Sequence, residues 1–151
     1  MLKIGIINGP NLNMLGKRDK NIYGDLTLEE INQKIMDFAK EEDMEVIIKQ
    51  SNSEGDIIDT IQHLSNQVDG LIINPGAYTH YSYAIADALR DCPIPTIEVH
   101  LSNIYSRESF RRKSVTAPAC TEQIAGFGYK SYLIALYALK DLISNNQKTV
   151  S

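Results

Sequence analysis

The sequence predicts an α/β fold in which a parallel β-sheet is covered by helices on both faces. Strand-like segments alternate with segments of helical period along almost the whole chain. The strand-like segments are nearly continuous apolar runs, which is typical of strands buried on both faces. The chain has 151 residues, a length that suits one domain with a substantial core. We therefore expect a single domain over residues 1–151, with a polar, flexible tail from about 144 to 151.

The first strand and the first helix have clear local signals. Residues 3–8 are predicted to form a strand because 4–7 contain three isoleucines and one glycine. A helix is predicted over 27–43, and it begins with the pattern T-x-x-E at Thr27 and Glu30. This pattern is typical of a capping box, in which the two side chains accept hydrogen bonds from backbone N–H groups at the start of the helix. The chain therefore enters its first helix at Thr27.

The later elements continue the same alternation. They are predicted as a strand over 45–50, a helix over 56–67, a strand over 70–74, a helix over 81–91, a strand over 96–101, a strand over 119–126 and a helix over 129–143. Pro93 and Pro95 end the helix that precedes the fourth strand, because proline and the residue before it disfavour helical continuation. Five strands in this order predict a flavodoxin-like, doubly wound, five-stranded parallel sheet.

The composition excludes several classes of function. A net charge of −4, from 15 basic and 19 acidic residues, argues against broad nucleic-acid binding. A mean hydropathy of −0.22, without an apolar run near the length of a membrane span, argues against a membrane protein. The first residues do not have the pattern of a signal peptide. We therefore expect a soluble, cytoplasmic protein that binds neither nucleic acid nor membrane.

Basic residues are concentrated in two short stretches of the chain. They are Lys17, Arg18 and Lys20 in the first stretch, and Arg107, Arg111, Arg112 and Lys113 in the second. Local positive charge on a mildly acidic protein suits a small anionic ligand better than a polyanion.

The cysteines and histidines do not have the spacing of a metal site. Cys92 and Cys120 lie far apart and outside any C-x-x-C pattern, so we expect buried free thiols. His63, His80 and His100 show no close metal-ligand spacing, and His63 falls inside a predicted helix. We therefore expect no metal ion and no other cofactor.

Polar residues gather where the predicted strands end. In doubly wound sheets, ligands bind at the carboxyl ends of the strands, beside the point where the strand order reverses. These ends carry residues 8–11, 74–75 and 98–102. Glu98 and His100 are two residues apart on one strand, so their side chains share a face and the carboxylate can orient the imidazole. A buried but inert pair is the alternative interpretation.

The connection over residues 9–26 is predicted to be a lid. It exceeds the roughly 12 to 15 residues beyond which loops are often functional, and after Gly9 it contains two further glycines, Gly16 and Gly24, together with Arg18 and Tyr23. A free tyrosine has a pKa of about 10, so general-base catalysis near neutral pH requires a cation that stabilises the tyrosinate. Arg18 is the nearest candidate cation. A packing tyrosine and a solvated loop arginine are the alternatives.

Several ordered motifs resemble those of one enzyme family from end to end of the chain. They are the segments 8–13 (NGPNLN), 15–16 with Arg18, 23–24 (YG), 50–52 (QSN) with 54–55 (EG), 73–75 (INP), 78–80 (YTH), 97–103 (IEVHLSN), 107–108 (RE) and 110–111 (FR). With these motifs the chain is similar to type II 3-dehydroquinate dehydratase. So many matches in order are much more specific than any one motif.

The resemblance implies a hydro-lyase reaction of the shikimate pathway, which leads to chorismate and the aromatic amino acids. Tyr23, as the tyrosinate favoured by Arg18, would take a proton from C2 of 3-dehydroquinate and form an enolate. Asn11, acting through a water molecule, would stabilise that oxyanion. His100, oriented by Glu98, would protonate the departing C1 hydroxyl, giving 3-dehydroshikimate by anti elimination.

The resemblance also implies how the substrate is held. Asn74 and the backbone amides of Leu101 and Ser102 would bind the carboxylate, while His80 and Arg111 would contact the ring hydroxyls. The family is dodecameric and built from trimers, so the resemblance implies a homododecamer that is a tetramer of trimers. Asp87 matches a residue that the family contributes to a neighbouring subunit's site; a solvated helix carboxylate is the alternative.

Two other functions remain as alternatives from the residues alone. A flavodoxin-like binding or signalling module shares the predicted fold, but Pro10 stands where a flavin phosphate loop would need hydroxyls, and Asn74 where a phospho-receiver would need an aspartate. Dehydration through a lysine Schiff base would need a lysine at a strand end. The only strand lysines, Lys3 and Lys49, lie away from the polar cluster.

Overall fold

The computed structural model describes residues 1–17 and 25–150, with the backbone alone for 146–150. The elements are β1 (Leu2–Asn8), α1 (Leu28–Glu41), β2 (Met44–Gln50), α2 (Glu54–Leu64), β3 (Gly70–Asn74), α3 (Tyr83–Arg90), β4 (Thr96–His100), β5 (Glu122–Ala125) and α4 (Lys130–Val150). Short 3-10 turns lie at Leu12–Met14, Gly76–His80, Ile104–Ser106, Ser109–Arg111 and Ala117–Ala119. The predicted α/β alternation is confirmed.

The five strands form one parallel sheet in the order β2-β1-β3-β4-β5. The chain moves outward from β1 to β2, then crosses back to β3 on the other side of β1. This reversal makes the carboxyl ends of β1 and β3 the switch point, where Asn8 pairs in register with Asn74. The flavodoxin-like, doubly wound, five-stranded sheet predicted from the sequence is confirmed.

Helices cover both faces of the sheet because successive strand residues point to opposite faces. On one face α1 and α4 pack on residues such as Ile4, Ile6 and Val99. On the other face α2 and α3 pack on residues such as Ile7 and Ile73. The isoleucines of β1 and β3 are at most 1% exposed. Because helices bury both faces of the sheet, consecutive residues of these strands are apolar, and the sequence of each strand is a continuous apolar run.

Side-chain caps set the starts of the helices. Thr27 and Glu30 form the predicted capping box of α1, and Glu30 N lies 3.2 Å from Thr27 Oγ1. α2 begins before the predicted residue 56 because Ser53 caps it, accepting a bond from Asp56 N. α3 begins later than predicted because Ser82 is its cap and accepts a bond from Ile85 N.

The last strand and the last helix differ from the sequence prediction. β5 begins at Glu122 instead of 119, because the segment Ala117–Ala119, which includes Pro118, forms a 3-10 turn. The strand ends at Ala125 because Gly126 adopts a φ of 93°. α4 continues past the predicted end at 143 to Val150. No proline or glycine interrupts 144–150, so the backbone continues as helix through the segment expected to be a polar tail.

Two glycines allow the loops after β1 and β3 to touch. A Cβ atom on Gly9 would lie 2.7 Å from the Pro75 backbone, and Gly9 N donates to Asn74 O at 2.7 Å. Gly76 adopts a φ of 59°, and a Cβ atom there would lie 3.0 Å from Pro10 O. The two loops therefore close against each other at the switch point and build one side of a cleft.

Two other sequence expectations concern membranes and thiols. Within the described ranges, no helix is both long enough and apolar enough to cross a lipid bilayer. Cys92 and Cys120 are free, as predicted, but they are partly buried instead of buried. Burial, together with the charge of Glu98, raises the pKa of the Cys120 thiol.

Candidate active site

A cleft of about 140 Å³ lies at the carboxyl ends of β1, β3 and β4. It is lined by Pro10, Asn11, Leu12, Asn74, Gly76, Ala77, His80, His100, Leu101, Ser102, Ile104, Arg107 and Arg111. The lining combines histidine, arginine and amide side chains with backbone from three strand ends, and no carboxylate is among the described residues that line it. Such a lining suits a small, oxygen-rich anion.

The cleft brings together most of the residues that the sequence analysis selected. The selected residues that line it are Asn11, Asn74, His80, His100, Leu101, Ser102 and Arg111. Glu98 lies directly behind His100, and its side chain is fully buried. Tyr23 and Arg18 fall outside the described residues, so their positions relative to the cleft stay a prediction.

Glu98 and His100 form the contact that their spacing on β4 predicts. Glu98 Oε2 lies 2.8 Å from His100 Nε2, and both side chains are buried. A carboxylate only accepts hydrogen bonds, so Nε2 carries the proton of this bond. The second ring nitrogen, Nδ1, is not used by Glu98. The arrangement fixes both the ring orientation and the protonation of Nε2.

The carboxylate of Glu98 is held by further donors besides His100. To Oε2 these are Thr79 at 3.0 Å, Ser114 at 3.0 Å and Gln123 at 2.9 Å, and to Oε1 the donor is Thr116. Burial alone would raise the pKa of Glu98, but hydrogen bonds and the charge of His100 outweigh burial and lower the pKa below its usual value of 4.5. Glu98 is therefore a buried anion at neutral pH.

The donors around Glu98 were not predicted from the sequence. They lie in the turn before α3, in the irregular segment after Arg111 and in β5. Thr79 lies in the segment 78–80 but was given no role there, and Ser114, Thr116 and Gln123 belong to none of the motifs. Only the tertiary fold brings these side chains to one carboxylate. Gln123 is itself oriented, because its Oε1 accepts a hydrogen bond from the Tyr105 hydroxyl at 2.7 Å.

Asn74 is fixed by a buried network that reaches the last helix. Asn74 Nδ2 donates to the Tyr132 hydroxyl at 3.1 Å, and that hydroxyl donates to Asn8 Oδ1 at 2.5 Å. Asn74 Oδ1 accepts from Gly76 N at 3.2 Å. Burial raises the pKa of Tyr132, so its hydroxyl stays protonated. Asn74 thus has a fixed amide, with one Nδ2 proton remaining for a ligand in the cleft.

His80 and Arg111 also line the cleft. His80 Nδ1 lies 2.7 Å from Lys113 O, and since a carbonyl only accepts, Nδ1 carries the proton and Nε2 is the other ring nitrogen. Arg111 Nε donates to Glu108 Oε2 at 2.6 Å, and the guanidinium stacks on the Phe110 ring at 4.6 Å. The two terminal nitrogens of Arg111 take no part in that bond.

Asp87 does not lie in the cleft of its own chain. It projects from α3, its side chain is 76% exposed, and its Oδ1 lies 3.4 Å from Arg90 Nη1. The cleft lining also includes Ile104, which was not selected from the sequence, and Arg107, which belongs to the second basic stretch. Among residues 1–17 and 25–150, no three His, Cys, Asp or Glu side chains are grouped to hold a metal ion.

The fold and the cleft together define a doubly wound α/β protein with a cleft rich in cationic and amide side chains at its switch point. Residues 2–140 match the family described as dehydroquinase class II. The chain belongs to this family.

Two 3-dehydroquinate dehydratases and a type II dehydroquinase are similar to the chain over nearly its whole length. The 3-dehydroquinate dehydratase of Caldicellulosiruptor bescii is 60% identical over 144 residues, covering 95% of this chain and 99% of the relative. That of Clostridium acetobutylicum is 54% identical over 143 residues, with the same coverage of 95% and 99%. The type II dehydroquinase of Butyrivibrio crossotus has a similar crystal structure, with a TM-score of 0.91, 52% identity and coverage of 92% of this chain and 97% of that chain.

Proposed function

We propose that this protein is a hydro-lyase that converts 3-dehydroquinate to 3-dehydroshikimate and water. The match of residues 2–140 to the dehydroquinase class II family carries this proposal. The cleft supports it, since its cationic and amide groups suit a polyhydroxy carboxylate. The reaction would place the protein in the shikimate pathway, on the route to chorismate and the aromatic amino acids.

The first step of the proposed mechanism is removal of a proton from C2 of the substrate. Tyr23, as a tyrosinate stabilised by the guanidinium of Arg18, takes this proton, and the electron pair moves onto the C3 carbonyl oxygen to form an enolate. Asn11 stabilises the enolate oxygen through a bound water molecule. Support comes from the position of Asn11 in the cleft lining and from the family match.

The second step is loss of the C1 hydroxyl. The enolate collapses, C1 and C2 become doubly bonded, and the hydroxyl leaves as water after taking a proton from His100. Because His100 Nε2 donates its proton in a hydrogen bond to Glu98, the proton that is transferred to the leaving hydroxyl is the one on Nδ1 of the imidazolium. The ionised Glu98 stabilises the imidazolium before the transfer and keeps the ring from rotating.

The substrate is held through its carboxylate and ring hydroxyls. Asn74 and the backbone amides of Leu101 and Ser102 bind the carboxylate, and His80 and Arg111 contact the hydroxyls. The fixed amide of Asn74 supports the first assignment, because an oriented donor loses little freedom on binding. The contact of His80 Nδ1 with Lys113 O fixes the ring and leaves Nε2 for a contact with a hydroxyl.

The assembly and the compartment are also proposals. We infer a homododecamer, a tetramer of trimers, in which Asp87 completes the site of a neighbouring subunit. The exposed position of Asp87 outside its own cleft fits this role. The free thiols of Cys92 and Cys120 fit a reducing compartment such as the cytoplasm. No cofactor takes part in the proposed steps.

An ultraviolet assay tests the proposed function. The product has a carbon-carbon double bond conjugated with its ketone, so its formation from 3-dehydroquinate raises ultraviolet absorbance. The purified protein should give this signal, and His100→Ala should lose it by a factor of at least about 10². His63→Ala is the matched control, since His63 lies on α2 and bonds Gln67, away from the cleft. Absence of turnover by the wild-type protein would refute the assignment.

A further inference from the structure

We propose that Asn52 is a positioning residue for the reaction, because its side chain holds the backbone of Asn11 in an uncommon conformation. This inference rests on the proposed function, in which Asn11 stabilises the enolate oxygen. Asn52 itself lies outside the cleft lining. Its effect on the reaction therefore acts through Asn11.

The backbone of Asn11 is in the left-handed region, with φ of 68° and ψ of −2°. For residues other than glycine this region is disfavoured by roughly an order of magnitude, although asparagine tolerates it better than most. The conformation directs the chain from β1 into the 3-10 turn Leu12–Met14, and Met14 N donates to Asn11 O at 3.0 Å. A fixed orientation of the Asn11 side chain needs a contact that favours this backbone geometry.

Asn52 provides that contact. The backbone N–H of Asn11 donates to Asn52 Oδ1 at 3.1 Å, across 41 residues of sequence. The same oxygen accepts a bond from Gln50 Nε2 at 3.1 Å, and Gln50 Nε2 also lies 3.2 Å from Gly9 O. Gln50 and Asn52 therefore hold the loop after β1 by hydrogen bonds to the backbone on both sides of Pro10, at Gly9 O and at Asn11 N.

The position of Asn52 is in turn fixed from the other side of the switch point. The hydroxyl of Tyr78, in the turn after β3, donates to Asn52 O at 2.9 Å. That bond uses the backbone carbonyl, so it remains when the side chain is replaced. The loop after β2 is thus anchored to the turn after β3, and the side chain of Asn52 extends from this anchor to Asn11.

The hydrogen bonds of Asn52 allow a matched pair of variants. Both side-chain contacts use the oxygen, and neither uses the amide nitrogen. Asn52→Asp keeps an acceptor at the same place, whereas Asn52→Ala removes it. Asn11 and Asn52 are both exposed, so loss of the bond should change the free energy of unfolding little. A positioning role therefore predicts a change in turnover without a matching change in stability.

Steady-state kinetics with 3-dehydroquinate test the proposal. We expect Asn52→Ala to lower kcat about tenfold, from the intrinsic bias against the left-handed backbone, with KM changed less than about threefold. Asn52→Asp should stay within about threefold of wild type, because an exposed charge is screened by solvent. Equal losses in both variants would overturn the proposal, and so would an unchanged kcat in Asn52→Ala.

A double-mutant cycle identifies the route of the effect. If Asn52 acts through Asn11, then adding Asn52→Ala to Asn11→Ala should cost no further activity, since the group being positioned is already absent. An additional tenfold loss in the Asn11→Ala background would show that Asn52 acts by another route and would refute the inference. Asn11→Ala that retains full activity would refute it as well.

Crystal structures separate this inference from the proposed function. Asn52→Asp should keep Asn11 at a φ near the wild-type 68°, and Asn52→Ala should release it to negative φ. This readout does not depend on turnover. If the wild-type protein failed to dehydrate 3-dehydroquinate, the proposed function would be wrong, while the two structures would still decide whether Asn52 holds Asn11. An Asn11 backbone unchanged in Asn52→Ala would contradict the inference.

Discussion

The imidazole of His100 meets the carboxylate of Glu98 at 2.8 Å, on a strand where both side chains are buried. The carboxylate is ionised because the donors around it outweigh the effect of burial on its pKa. The pair therefore depends on residues that never touch the cleft.

Thr116 is the first such residue to test, because its hydroxyl donates to Glu98 Oε1. Thr116→Val keeps the shape of the side chain and removes the donor, so the free energy of unfolding at neutral pH should fall by about 1.5 to 3 kcal/mol. Thr116→Ser should recover most of this loss. Urea titrations of both variants measure the effect, and a Val variant as stable as wild type would contradict the assigned bond.

The same variant predicts a dependence of stability on pH. The folded-state pKa of Glu98 lies below its usual value of 4.5, so the ionised carboxylate stabilises the fold above that value. This stabilisation is lost as the pH falls through the lowered folded-state pKa. The difference in unfolding free energy between wild type and Thr116→Val should therefore shrink as the pH falls through the folded-state pKa of Glu98 in the two proteins. A difference that grew as the pH fell would contradict a carboxylate stabilised in its ionised form by Thr116.

Tyr132→Phe tests the network that orients Asn74. The change removes the hydroxyl that joins Asn74 Nδ2 to Asn8 Oδ1, so stability should fall by about 1 to 3 kcal/mol. Binding of the substrate carboxylate should also weaken, raising KM more than it lowers kcat. Tyr137→Phe, on the same helix but 63% exposed, is the control and should change neither property.

Tyr23→Phe tests the proposed base, because it removes only the ionisable oxygen. Loss of a general base lowers kcat by about 10² to 10⁴, with much smaller effects on binding. Arg18→Ala should also be impaired, and its remaining activity should appear at higher pH, since the tyrosinate loses its stabilising cation. Turnover by Tyr23→Phe within a few-fold of wild type would make His100 the leading candidate for the base.

Mixing of inactive variants tests the role of Asp87 between subunits. If Asp87 completes a neighbouring site, then Asp87→Ala and Tyr23→Phe should recover partial activity when their subunits exchange. Some sites would then take an intact copy of each residue from different chains. Asp59→Ala, which changes another exposed helix carboxylate, is the matched control and should keep its activity without any mixing. Proven exchange without recovery in the Asp87 mixture would count against a shared site.

The absence of a metal requirement is the last expectation to be measured. The proposed mechanism uses Tyr23, Asn11 and His100 and assigns no step to a metal ion. Activity should therefore survive exhaustive treatment with chelators. A divalent ion whose removal abolishes turnover and whose return restores it would refute this expectation.

Much of the fold follows from local sequence signals. Strand β3 has the predicted bounds of 70–74, because its apolar run is bounded by polar residues. The predicted start of β5 at residue 119 was wrong, because apolar residues near 119 also fit a strand. Only packing selects the 3-10 turn at Ala117–Ala119. α4 extends to Val150 because the residues after 143 lack a stop signal, although their polarity indicated a tail.

Part of the candidate site could be predicted from the sequence, because the order of the strands determines which residues meet at one edge of the sheet. Asn74 and His100 end neighbouring strands, and parallel strands bring their carboxyl ends to one edge, so their proximity follows from topology. The hydroxyls around Glu98 come from irregular segments whose paths depend on tertiary packing. The contact between Asn11 and Asn52 likewise depends on the exact course of two loops.

The bond between Tyr132 and Asn8 joins the last helix to the first strand across 124 residues of sequence. During synthesis on the ribosome, Asn8 and Asn74 emerge long before Tyr132 is available to orient them. The nascent chain therefore cannot fix the side chain of Asn74, the proposed ligand of the substrate carboxylate, until this helix has been synthesised and has docked. We therefore expect that an incomplete chain neither binds substrate nor is protected by it from proteases.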